Sequence, residues 1–152
     1  MKNKIIKIIV IISILLIIVD QTSKVLIDKF INEPIGNEYF KIEIVNNTGM
    51  AFGFNEGNGK NIFLTICVLV IIINFIRTQI ERIDVKTSIA LSFVLAGGIS
   101  NLIDRIIRGS IFDFIKIYKF PIFNFADMCI VIGWILLIVF LAIYSKKIEV
   151  KD

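Results

Sequence analysis

Residues 5–26 read Ile-Ile-Lys-Ile-Ile-Val-Ile-Ile-Ser-Ile-Leu-Leu-Ile-Ile-Val-Asp-Gln-Thr-Ser-Lys-Val-Leu, and the fate of this stretch decides the fold. Lys2, Lys4 and Lys7 sit at its head and a long isoleucine and leucine run follows, as in a secretory signal peptide. No small-x-small cleavage site closes the run. Asp20-Gln21-Thr22-Ser23-Lys24 stands there instead, which is how a membrane helix ends in a polar cluster. The stretch is expected to be retained, with Asp20 and Lys24 on one side of the helix at a spacing of four.

Three more apolar stretches, at about residues 61–77, 87–103 and 126–144, are long enough or nearly so to cross a hydrocarbon core, which takes roughly 17 to 25 helical residues. With 57% hydrophobic residues, two prolines and a mean hydropathy of +0.86, 152 residues are too apolar for a soluble protein of this size. The expected fold is an all-α membrane protein of four transmembrane helices in a single domain over residues 1–152. A small β-containing extracytoplasmic element belongs between the first and second helices, in the outer loop of about residues 28–60. There Tyr39-Phe40-Lys41-Ile42-Glu43-Ile44-Val45 alternates as a strand does, and residues 46–54 read as a turn into a second strand-like piece. Cys67 and Cys129 fall inside predicted spans at no metal or redox spacing, so they read as packing residues.

Basic residues crowd three short segments: Lys2, Lys4 and Lys7; Arg77, Arg82 and Lys86; Lys146, Lys147 and Lys151. These nine of the 17 basic residues put both termini in the cytoplasm. The formal net charge of +4 then needs no nucleic acid to explain it.

Four alternating spans bring the end of the first, the start of the second, the end of the third and the start of the fourth to one face of the membrane. The unusual polar residues gather there: Asp20 and Lys24; Asn101, Asp104 and Arg105; Asn124 and Asp127; and Asp113 on the connection between the last two spans. Asp113 and Asp127 are each set among large apolar side chains, where an ionisable group is costly and marks a functional site. The chain has no histidine. Acid and base work at neutral pH therefore falls to other groups, and a close pair of carboxylates sharing a proton is one known solution. Gly97, Asn101, Asp104 and Arg108 recur at helical spacing and should face the bundle interior. For Asp104 and Arg105 a helix-tying ion pair, Asp104 with Arg108 or with Lys24, is the favoured reading. A transporter would place its carboxylates near the midplane at broken helices, and a purely structural membrane protein leaves the two aspartates unexplained. Zinc and serine intramembrane proteases both need a histidine that is missing here.

Five motifs in order resemble the lipoprotein signal peptidases, the type II signal peptidases of bacterial membranes: Asp20-Gln21-Thr22-Ser23-Lys24; Asn47-Thr48-Gly49-Met50-Ala51-Phe52; Gly97-Gly98-Ile99-Ser100-Asn101-Leu102-Ile103-Asp104-Arg105; Gly109-Ser110-Ile111-Phe112-Asp113-Phe114; and Pro121-Ile122-Phe123-Asn124-Phe125-Ala126-Asp127. The resemblance spans essentially the whole chain. It implies an aspartyl endopeptidase that removes the signal peptide from diacylglyceryl-modified prolipoproteins, cutting before the lipidated cysteine. By it Asp113 and Asp127 match the catalytic aspartates, and Asp20, Lys24, Asn47, Gly49, Asn101, Arg105 and Asn124 match supporting and substrate-binding residues. No metal or other cofactor is implied. The partners implied are lipidated prolipoproteins and membrane lipid, with a monomer in the cytoplasmic membrane and its active site near the outer face. Ser100 departs from the pattern, standing where the family more often has glycine, and its hydroxyl is expected to bond back to a carbonyl one turn earlier.

Overall fold

A computed structural model describes residues 2–49 and 58–149. Four helices carry the chain: α1, Lys2–Phe30; α2, Asn58–Gln79; α3, Val85–Ile107; and α4, Phe125–Glu149. Each is long and apolar enough to cross a membrane. They overrun the expected apolar stretches at every end, because backbone hydrogen bonding continues into the polar flanks.

The bundle is built around α3, whose surface is mostly buried while α1, α2 and α4 turn isoleucine, leucine and valine outward. In water that outer surface would be a liability; in lipid it is the solvent-facing side. Asp84 starts α3 as its N-cap, accepting the Thr87 N–H at 2.8 Å. That bond holds the Asp84 carboxyl below its ordinary range. Arg108 caps the far end and Gly109 follows at φ +76°, a left-handed residue that stops the helix at little cost.

Packing on the two flanks of α3 follows different rules. Towards α4 it is backbone against backbone: a Cβ on Gly97 would lie 2.3 Å from the Ala126 carbonyl oxygen, and one on Gly133 would lie 2.9 Å from the Ala90 oxygen. Small residues are what let membrane helices approach so closely. Towards α1 the contact is polar and in register. The two helices run parallel, with residue n of α1 beside residue n+80 of α3: Asp20 by Ser100, Lys24 by Asp104, Asp28 by Arg108. Ser13 and Ser92 continue the ladder deeper, Ser13 Oγ donating to the Ser92 carbonyl at 3.2 Å.

On top of one end of the bundle lies a three-stranded antiparallel sheet of β1 (Ile35–Gly36), β2 (Phe40–Asn47) and β3 (Ile111–Ile117), in that order. The strand expected at residues 39–45 is β2; the strand-like piece expected after it, residues 50–54, lies outside the described residues. The sheet also draws on the connection between α3 and α4, for which the sequence predicts no strand. Ile111, Phe112, Asp113 and Phe114 are all buried, so β3 lacks the in-out alternation that reveals a strand.

Candidate active site

Asp113 enters the site from β3. A bulge between Ile42 and Val45 of β2 shifts the register so that Val45 pairs with Asp113 and Asn47 with Ile111. Side chains two residues apart share a sheet face, and Asn47 Nδ2 reaches diagonally to Asp113 Oδ2 at 3.0 Å. Asn47 Oδ1 in turn accepts the Gly49 N–H at 3.0 Å, and Arg105 donates to the Gly49 carbonyl at 3.2 Å. Asn61, buried at the start of α2, donates to the Thr48 carbonyl at 3.1 Å and fixes the same turn from the other side.

Beyond β3 the chain doubles back. Phe123 bridges to Ile115, its N–H and carbonyl both engaged with that residue at 3.1 and 2.8 Å. This return sets Asn124 directly against β3, and Asn124 Nδ2 donates to Asp113 Oδ1 at 2.7 Å. Asn124 is also the N-cap of α4. Its Oδ1 accepts the Asp127 N–H at 2.9 Å, and Asp127 Oδ2 accepts the Asn124 N–H at 3.2 Å. That reciprocal pair is a capping box, so Asp127 is fixed by the start of its own helix.

Asn101 on α3 joins the two halves. It donates to Asp127 Oδ1 at 2.8 Å and accepts from Asn124 Nδ2 at 3.1 Å. Asp113 and Asp127 are thus linked through two asparagine amides, and each of their four carboxylate oxygens receives one N–H donor from a neutral group. Burial pushes the Asp113 carboxyl up to about 6; the neighbouring charge of Asp127 pushes the same way, while the bonds from Asn47 and Asn124 pull it back. Asp113 is 2% exposed, whereas Asp127 is half-buried.

Behind this pair is a fully buried charge cluster. Lys24 lies 2.7 Å from Asp20 and 2.6 Å from Asp104. Asp20 Oδ1 accepts the Ala126 N–H at 2.8 Å, and Asp104 Oδ2 accepts that of Phe112 at 3.2 Å, each next to one of the two aspartates. The expected Lys24 and Arg108 pairings with Asp104 are both present, the latter at 3.7 Å.

The arrangement matches a known family. A model of signal peptidase (SPase) II aligns with residues 12–143. The chain belongs to the signal peptidase II family. It is 32% identical to a lipoprotein signal peptidase of Fusobacterium nucleatum subsp. nucleatum over 146 residues, covering 91% of this chain and 88% of that one. A lipoprotein signal peptidase of Borrelia hermsii is 38% identical over 148 residues, covering 83% and 84%. That of Dehalococcoides mccartyi is 37% identical over 106 residues, 66% of each chain. A bacterial membrane enzyme solved in meso at 2.3 Å superposes with a TM-score of 0.78 at 28% identity, covering 91% of this chain and 90% of that chain; a second, at 1.9 Å, gives 0.76 at 30%, covering 88% and 91%.

Within this signal peptidase II chain the nine residues singled out in the sequence fall at one end of the bundle. Asn47, Asn101 and Asn124 touch the aspartates directly, Gly49 and Arg105 hold the turn that carries Asn47, and Asp20 and Lys24 stand one residue behind. Three further residues, to which the sequence assigns no role in the site, take part in it: Gln21, Ser100 and Asn61. Gln21 Nε2 donates to Ser100 Oγ at 2.9 Å and to Asp104 Oδ1 at 3.0 Å. The expectation for Ser100 is corrected: its hydroxyl does not turn back to its own helix but crosses to Asp20 Oδ2 at 2.6 Å. A charged acceptor one helix away outcompetes a carbonyl already used in the α3 ladder. The signal was present in the matched four-residue spacings Asp20/Lys24 and Ser100/Asp104.

Proposed function

We propose that this protein is an intramembrane aspartyl endopeptidase, a single domain over residues 1–152, that removes the signal peptide from diacylglyceryl-modified prolipoproteins by cutting before the lipidated cysteine. The observation that carries this is the amide link from Asp113 through Asn124 and Asn101 to Asp127, which orients two carboxylates in one hydrogen-bonded network. One carboxylate, ionised, takes a proton from a water held between the two. The other, protonated, donates to the oxygen of the scissile carbonyl as the hydroxide oxygen bonds to its carbon, and the roles reverse when the tetrahedral intermediate collapses and the peptide C–N bond breaks. Two like charges at one partly desolvated place titrate as a unit, which keeps one proton on the pair. Asp20, Lys24, Asn47, Gly49, Asn101, Arg105 and Asn124 hold this geometry or bind the substrate backbone.

The same reading sets both termini in the cytoplasm and the sheet and aspartates near the outer face of the cytoplasmic membrane, because the basic clusters lie at the opposite ends of the helices. A substrate whose acyl chains stay in the bilayer then reaches the site laterally. The protein works as a monomer with membrane lipid around it. The test is incubation of the purified full chain with a diacylglyceryl-modified precursor peptide, followed by mass spectrometry. Release of an intact signal peptide ending at the residue before the modified cysteine is expected; cleavage elsewhere, or equal cleavage of the unmodified precursor, would overturn the assignment.

A further inference from the structure

We propose that Ser100 is a positioning residue for Asp127, acting through the Asp20 carboxylate and the first turn of α4. The proposal rests on Asp127 being catalytic. Ser100 is fully buried, and its hydroxyl donates to Asp20 Oδ2 at 2.6 Å while accepting from Gln21 Nε2 at 2.9 Å. The other oxygen of the same carboxylate, Asp20 Oδ1, accepts the Ala126 N–H at 2.8 Å. Ala126 is the residue before Asp127, and its N–H is one of the first-turn donors that no intrahelical carbonyl can satisfy.

Three features give the hydroxyl its role. A carboxylate rotates easily about its last torsion, so what aims Oδ1 at Ala126 is whatever fixes Oδ2. Lys24 contacts Oδ2 at 2.7 Å, but an ammonium with three rotatable donors supplies charge more than direction. The Ser100 hydroxyl supplies direction, since it is short, charge-assisted and anchored on a different helix. Gln21 fixes the hydroxyl itself, leaving its hydrogen free for Asp20 alone. Meanwhile the Ala126 carbonyl rests against Gly97, so this residue is held by α3 on one side and by Asp20 on the other. One turn of α3 therefore addresses Asp127 twice: Asn101 bonds its carboxylate directly, and Ser100, the residue before, sets the backbone that carries it.

Loss of the hydroxyl falls on Asp20 and little else. In Ser100→Ala the Gln21 amide keeps Asp104 Oδ1 and the Ser100 backbone carbonyl as acceptors. Displacements near 1 Å at a reacting group cost up to about 100-fold, so a slackened first turn should cost roughly 10-fold in kcat with KM within about two-fold. The experiment measures kcat, KM and thermal midpoint for the full chain and for Ser100→Ala, Asp20→Asn and their double variant, on a diacylglyceryl-modified precursor peptide. Hydrogen exchange at the first turn of α4 is followed in the wild type and Ser100→Ala. The expected result is the kcat loss, faster exchange at Ala126 and Asp127 with residues 98–104 unchanged, and less than a two-fold further loss when Ser100→Ala is added to Asp20→Asn. Should Asp20→Asn not fold, the exchange pattern with the kcat-against-KM split decides. Unchanged kcat, an equal loss in the Asp20→Asn background, or a lowered thermal midpoint with normal exchange at α4 would each overturn the proposal. A wild-type protein that cleaves no precursor would instead overturn the peptidase reading.

Discussion

Lys24 of α1 meets Asp104 of α3 at 2.6 Å, and neither side chain reaches solvent. The same ammonium touches Asp20 at 2.7 Å, so one cation stands between two carboxylates in the interior. Removing one member of a buried pair leaves uncompensated charge and costs about 3–5 kcal/mol, far more than the pair contributes over an apolar substitute. Lys24→Met is therefore expected to lower the thermal midpoint in detergent sharply. Asp104→Asn should cost less, because Asp20 still answers the lysine. A midpoint for Lys24→Met within a few degrees of wild type would show that the cluster is hydrated or already neutral.

Asp113→Asn and Asp127→Asn should each reduce precursor cleavage by at least about 10²- to 10⁴-fold, the range for losing a positioned acid or base. An amide can neither take the proton from water nor donate one as a carboxylic acid does. Binding of the lipidated precursor should persist in both. The double variant should be about as impaired as either single one, since groups acting as a unit are non-additive. Near-normal cleavage by either variant would remove that aspartate from the chemistry.

The pH dependence has a definite sign. Asp113 is raised from 3.8 to about 6, so the folded state prefers its protonated form. Its contribution to stability is full below about pH 4 and is lost as pH rises through about 6, at most about 3 kcal/mol for a shift of this size. The thermal midpoint of wild type relative to Asp113→Asn should accordingly fall across that window. Because the Asn47 amide favours the ionised carboxylate, Asn47→Ala should move the corresponding inflection in the pH–rate profile upward. A downward shift would contradict the assignment.

Gly97→Ala tests the backbone contact between α3 and α4. The new methyl would meet the Ala126 carbonyl oxygen at 2.3 Å, and only a shift of α4 could relieve it. A loss of about 1–3 kcal/mol is expected together with reduced cleavage, since the residue displaced adjoins Asp127. Gly59→Ala is the matched control: among the described residues nothing lies within 4 Å of the added Cβ, and replacing a helical glycine should stabilise by about 0.4–1 kcal/mol.

Topology can be read with an impermeant thiol reagent on intact cells. In a background lacking Cys67 and Cys129, a cysteine replacing Lys119, on the sheet side, should label from outside. One replacing Glu81, in the turn between α2 and α3, should not. Equal labelling of both would sink the proposed orientation.

The sequence by itself determined the four spans, the common face of Asp20, Lys24, Asn101, Asp104, Arg105, Asn124 and Asp127, and the family. These follow from local quantities: the length of each apolar run, the alternation of direction at each bend, and residue types at fixed short spacings. Only the tertiary structure decided how the site closes. The strand that carries Asp113 is buried on both faces, so its period is invisible until the helices beneath it are in place. The bulge that turns Asn47 toward Asp113, the return of Phe123 onto Ile115, and the offset of 80 residues that sets Ser100 on Asp20 are relations between distant segments. Each depends on which backbone groups are left unpaired when the helices pack, and hydrogen bonds reach about 3 Å, a distance that no sequence spacing encodes across separate elements.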